Sequence, residues 1–99
     1  GTNPEELIAA AHAGCFTMAL SAKLTEAGYP PTALDTRADV DLSMDGGPQL
    51  SQIRLHVNAV VPGIETSKFK AIAEDAKKNC PVSKALSAVP ITLDSELSN

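Results

Sequence analysis

"TNPEELIAAAHAGCFTMALSAKLTEAGYPP", residues 2–31, decides how the chain folds. Its first residues are a dense helix-start signal. Asn3 suits a cap, Pro4 the first helical position, and Glu5 and Glu6 favour the positive end of the helix dipole. Glu6 also stands where a side chain can reach back to the cap's amide. The helix is expected to run to about Ala27 and to stop at Gly28, with Pro30 and Pro31 just beyond. Between Leu7 and Leu20 apolar residues cover nearly every side of the cylinder. Such a helix must be enclosed on all sides or lie in a membrane. His12, Thr17 and Ser21 interrupt the apolar run well short of the ~20 residues that a bilayer requires. Enclosure by protein is therefore expected, and a chain of 99 residues is small for the task. A second copy of the chain is the natural extra cover.

Downstream the period changes from helical to alternating. Leu34, Ala38, Val40 and Leu42 interleave with Asp35, Arg37, Asp39 and Asp41. Ile53, Leu55, Val57, Ala59 and Val61 then interleave with Gln52, Arg54, His56 and Asn58. Alternation of this kind makes strands with one wet face, and "MDGGPQ" between them is turn chemistry, so an antiparallel hairpin is expected. A second helix is expected from about Ser67 to Lys78, a short helix in "NCPVSKALS", and a last strand in "PITLDSEL". The fold class is α+β: long buried helix, hairpin, helix, short helix, strand. Residues 1–99 read as one domain without repeats.

Composition removes several function classes. Eight Lys+Arg stand against twelve Asp+Glu, for a net charge of -4. That balance offers no basic surface for nucleic acid or anionic lipid. The opening residues show no basic-then-apolar leader, so a cytoplasmic protein is expected. Neither a Gly-x-Ser-x-Gly elbow nor a phosphate-cradling glycine loop occurs. The two cysteines, Cys15 and Cys80, suggest chemistry more than a disulfide scaffold in a reducing compartment.

Each cysteine has two readings. Cys80 precedes Pro81 and so stands at a helix N-terminus, where backbone amides stabilise a thiolate and Lys77 and Lys78 add positive charge. It can equally be a buried structural residue. Cys15, among alanines in mid-helix, has no such local help and can be a small inert hydrophobe. His12 and Cys15 lie three residues apart on one helix face, which permits a two-ligand metal contact. A closed zinc site wants four ligands, and only Cys80 and His56 remain to supply them. His56 is expected to face water, so no metal is expected, and His12 reads as a hydrogen-bonded core or interface residue. The acidic row Asp35, Asp39 and Asp41 reads as the solvated face of a strand.

"TNPEELIAAAHAGCF" followed by "VPGI" and then "CPVSKAL" closely resembles the osmotically inducible protein C family (OsmC/Ohr), its OsmC branch in particular. The resemblance implies an OsmC-like fold completed by dimerisation, with active sites at the interface of a homodimer. It implies a thiol-dependent peroxidase that reduces organic hydroperoxides and hydrogen peroxide without metal or cofactor. Cys15 would attack the peroxide, Cys80 would resolve the sulfenic acid to a disulfide, and an external dithiol would reduce that disulfide. Glu5, ten residues before Cys15, would be the carboxylate that helps to hold an active-site arginine. In the family this arginine lies before the "TNPEE" motif, where this chain begins. Arg37 and Arg54, its only arginines, match no catalytic position. The sequence is therefore expected to correspond to the C-terminal two-thirds or so of the family domain. Without such an arginine, desolvation should favour the thiol form of Cys15. The alternative is a non-catalytic redox switch or dimerisation domain whose cysteines react slowly or not at all. The two lines of argument differ over the nucleophile: local electrostatics favour Cys80, the resemblance Cys15.

Overall fold

The computed structural model describes residues 3–99; Gly1 and Thr2, the latter opening the "TNPEE" motif, lie outside them. Helix α1 spans Pro4–Glu26. Asn3 caps it as expected, its side-chain oxygen accepting a hydrogen bond of 2.8 Å from the Glu6 N–H. The helix ends where glycine permits a left-handed turn: Gly28 has φ 93°, and the Tyr29 N–H returns to the Leu24 carbonyl at 2.8 Å.

Strands β1 (Ala33–Ser43) and β2 (Gln49–Val60) form the expected antiparallel hairpin, with Ala38 opposite Leu55 and Val40 opposite Ile53. Its turn uses Gly46 and Gly47, both at positive φ. Helix α2 (Thr66–Asn79), the short helix α3 (Pro81–Ala85) and strand β3 (Ile91–Leu97) follow. The α2–α3 segment carries the chain over the sheet, so β3 pairs parallel to β2 and the strand order is β1-β2-β3. This parallel crossover is an arrangement that strand periodicity does not encode.

Alternation along β2 sorts the sheet into two faces. Ile53, Leu55, Val57 and Ala59 are buried beneath the helices. On the other face Arg54 pairs with Asp41 at 2.8 Å, and His56 lies between Asp39 and Asp94 at 3.7 and 3.6 Å. The acidic row is thus a solvated strand face, and His56 belongs to it.

Helix α1 packs on the apolar face through His12, Phe16, Leu20 and Leu24, all fully buried. Phe16, Leu20 and Leu24 join Phe69, Ala73 and Ala76 of α2 in a single core. Each buried Phe or Leu contributes about 1.5–3 kcal/mol of transfer free energy. By length and composition α1 could cross a membrane, but this face is already committed to the sheet. The enclosure expected from its all-round apolar sequence is only half supplied by the chain itself. Leu7 is 62% exposed and Met18 75%, and they share a face with the exposed Ala11 and Ala22.

Candidate active site

The site is where the middle of α1 meets the start of α3. Cys15 sits one turn beyond His12 on the helix, half-buried, while His12 turns wholly inward. Cys80 ends α2 and caps α3, so its side chain is fixed by two helices at once. Its sulfur accepts a hydrogen bond from the Ser83 N–H at 3.5 Å, the usual geometry of a first-turn cap. Pro81 at the first helical position gives up no hydrogen bond there.

Cys15 and Cys80, 65 positions apart in the sequence, approach to 3.9 Å. Both are free thiols, Cys15 partly exposed and Cys80 fully buried. A disulfide requires Cα atoms within about 7 Å and sulfurs about 2 Å apart. The two residues therefore already lie within reach of a bridge. The expectation that the pair could bridge is met by proximity.

Two effects oppose one another at Cys15. Burial pushes its thiol up from the ordinary value, while a hydrogen bond from the Val82 backbone N–H pulls it down. The neighbouring Cys80 sulfur pushes it up again, because a second negative sulfur nearby is unfavourable. Desolvation dominates, as expected for a cysteine in an apolar helix. Of the two lysines expected beside Cys80, Lys77 is less available than its sequence position suggests. Lys77 is drawn to Glu74 at 3.0 Å and to the Ile91 carbonyl at 3.4 Å.

Phe16 points into the core, and Leu7 and Met18 are exposed. Within one copy they form no closed pocket over the thiol. Glu5 lies in the first turn of α1, ten residues before Cys15 and about 15 Å from it along the helix axis. Among the described residues it makes no ion pair. Arg37 and Arg54 are on the wet face of the sheet, paired with Asp39 and Asp41.

His12 and Ser83 complete the site. The Nε2 atom of His12 lies 2.7 Å from Ser83 Oγ, and Ser83 Oγ lies 3.1 Å from Cys80 Sγ. Burial pushes the imidazole's pKa down, favouring the neutral ring. The hydrogen-bonded core histidine read from sequence is found, and its partner is a serine. Among the described residues no group of three or more His, Cys, Asp or Glu is placed to hold a metal ion. Sequence reasoning passed over Ser83. The available signal was a pair of matched spacings: His12 precedes Cys15 by three residues, and Ser83 follows Cys80 by three. If the cysteines meet across two helices, the partners one turn away meet as well.

Residues 1–94 match the model of a family described as OsmC-like protein. The chain is 55% identical over 98 residues to the "Peroxiredoxin OsmC" of Escherichia coli (strain K12), covering 98% of this chain and 68% of that protein. It is 31% identical over 94 residues to the organic hydroperoxide resistance protein OhrA of Bacillus subtilis (strain 168), of which it covers 66%. Among solved structures, OhrB of Bacillus subtilis superposes with a TM-score of 0.78 at 31% identity, over 99% of this chain and 71% of that one. An OsmC-like protein from Mycoplasma pneumoniae gives 0.88 at 20% identity, over 100% of this chain and 74% of that one, a likeness of fold.

Proposed function

Since the chain belongs to the OsmC-like protein family, we propose that it acts as a thiol-dependent peroxidase reducing organic hydroperoxides and hydrogen peroxide. The observation that carries this reading is the meeting of Cys15 and Cys80 at 3.9 Å from opposite ends of the chain. One sulfur can be reached from solvent and the other waits behind it.

Cys15 is the attacking residue. Its thiolate attacks the distal oxygen of ROOH: the S–O bond forms, the O–O bond breaks, and the displaced alkoxide takes up the proton that the thiol had released and leaves as ROH. Cys80 then attacks the Cys15 sulfur of the sulfenic acid. The S–S bond forms, the S–O bond breaks, and water departs. An external dithiol restores both thiols through a mixed disulfide. The two electrons that reduce the peroxide come from that dithiol, so the chemistry needs no metal, flavin or haem. Glu5 is assigned, through the family resemblance, to hold the arginine that activates Cys15. A cationic partner is what Cys15 requires, because burial disfavours its thiolate.

Residues 1–99 act as one OsmC-like domain, the C-terminal part of the family's usual one. The working form is a homodimer in which α1 packs against the partner's copy. The exposed apolar face of α1, with Leu7 and Met18, supports this. Light scattering at micromolar concentration should give twice the chain's 10.3 kDa mass; a monodisperse monomer would remove the dimer. A cytoplasmic location suits a site whose cysteines must be returned to thiols after every turnover.

Peroxide consumption tests the reading. With excess dithiol, each subunit should consume many equivalents of cumene hydroperoxide. Consumption that stops after one equivalent, with dithiol still present, would identify a redox switch instead of an enzyme.

A further inference from the structure

The resolving step needs a base, and the structure offers one that the roles assigned to the two cysteines leave unused. Cys80 is fully buried and must lose its proton to attack. Its sulfur touches Ser83 Oγ at 3.1 Å, and Ser83 Oγ touches His12 Nε2 at 2.7 Å. The three groups form an unbroken chain from thiol to imidazole. All three residues are buried, so bulk water is a poor competitor for the proton.

A packing role alone explains this arrangement badly. His12 shares the core face of α1 with Phe16, Leu20 and Leu24, where an aliphatic side chain would cost nothing in hydrogen bonding. Its Nδ1 atom is buried with no hydrogen-bond partner among the described residues. Leaving such an atom unpaired is unfavourable, so the position carries a cost that one hydrogen bond to Ser83 does not plainly offset. A neutral imidazole with its proton on Nδ1 leaves Nε2 free to accept. Burial favours that neutral ring at rest, so the base stands ready and gains its charge only during the reaction.

We propose that Ser83 and His12 form a proton relay that deprotonates Cys80 as it attacks the oxidised Cys15 sulfur. The proposal rests on the reading of Cys15 as the oxidised partner. In the step, the Cys80 Sγ proton passes to Ser83 Oγ while the Ser83 hydroxyl proton passes to His12 Nε2. The Cys80–Cys15 S–S bond forms and the Cys15 S–O bond breaks. The departing hydroxide takes up a proton and leaves as water, while His12 returns to neutrality by releasing its extra proton through the Ser83 hydroxyl or to solvent. The sum is thiol plus sulfenic acid to disulfide plus water, with no further reactant. Ser83 touches the reacting sulfur, and His12 acts through Ser83.

A peroxide-free assay isolates this step. Cys15, the accessible thiol, is converted to its mixed disulfide with thionitrobenzoate, and attack by Cys80 then releases the coloured thiolate. Ser83→Ala and His12→Leu should each slow release by roughly 10²-fold, the usual contribution of a positioned base, while Ser83→Thr should stay within roughly threefold of the parent. Rescue by threonine separates a hydroxyl that carries protons from a serine that merely fits, since threonine is larger. Melting curves check that each variant is folded. Unchanged release in Ser83→Ala overturns the proposal, and so does a slow Ser83→Ala beside a fast His12→Leu. Slow release in Ser83→Ala with no rescue by threonine also overturns it. Normal release in the parent without any oxidation by hydroperoxide would instead sink the peroxidase reading and leave the relay standing.

Discussion

Cys15→Ser should lower hydroperoxide reduction by on the order of 10³-fold or more, because the sulfur proposed to attack the peroxide is then gone. Cys80→Ser should behave differently. It should still react once, then accumulate a sulfenic acid on Cys15 that a dimedone-type reagent labels. The structure supports this division through access. Cys80 is fully buried, its sulfur held by Ser83, whereas Cys15 is partly exposed on α1. A peroxide arriving from solvent meets Cys15 first. Cys80 caps α3 with a sulfur that the substrate cannot easily reach. Lys77, which was to add positive charge there, is engaged by Glu74 and a β3 carbonyl. Mass spectrometry of the two variants after a slight excess of cumene hydroperoxide decides the matter. Labelling of Cys80 in Cys15→Ser, at the parent's rate of peroxide loss, would reverse the roles.

How much of this was legible in the sequence depends on the range of the interaction. The start of α1 was readable because a cap is written in four consecutive residues, Asn3 to Glu6. The hairpin was readable because strand alternation and a glycine turn are equally local. The parallel pairing of β3 to β2 was not, because the preference comes from the path of α2 and α3 over the sheet. The cysteine pair joins positions 65 apart, and no local rule brings them together; only the family resemblance did. Composition shows that α1 is apolar all round, but not which side the chain's own sheet covers. Phe16 went to the core and Met18 to the open side. His12 was recognised as a buried hydrogen-bonding residue, yet its partner Ser83 lies 71 positions away, again beyond local reach.

Oxidation of the pair should raise the melting temperature of the chain by roughly 15 °C or more. Joining Cys15 to Cys80 closes a loop of 65 positions, which in the chain-entropy model stabilises the fold by about 4 kcal/mol. In a domain of this size each kcal/mol moves the midpoint by about 4–8 °C. Little native strain should oppose this gain, because Cys15 and Cys80 already lie 3.9 Å apart before the bond forms. Calorimetry of the oxidised protein, with and without dithiol, measures the shift, and Cys15→Ser should show none. A difference under about 5 °C in the parent would mean that bridging distorts the α1–α3 contact by nearly as much as loop closure contributes. The same free energy appears in the chemistry through linkage. If the disulfide stabilises the fold by about 4 kcal/mol, the fold stabilises the disulfide equally, against reduction by roughly 90 mV relative to the unfolded chain. A monothiol would then restore Cys15 and Cys80 poorly. A dithiol, whose second sulfur traps the mixed disulfide by closing its own ring, is the kind of reductant that can complete the cycle.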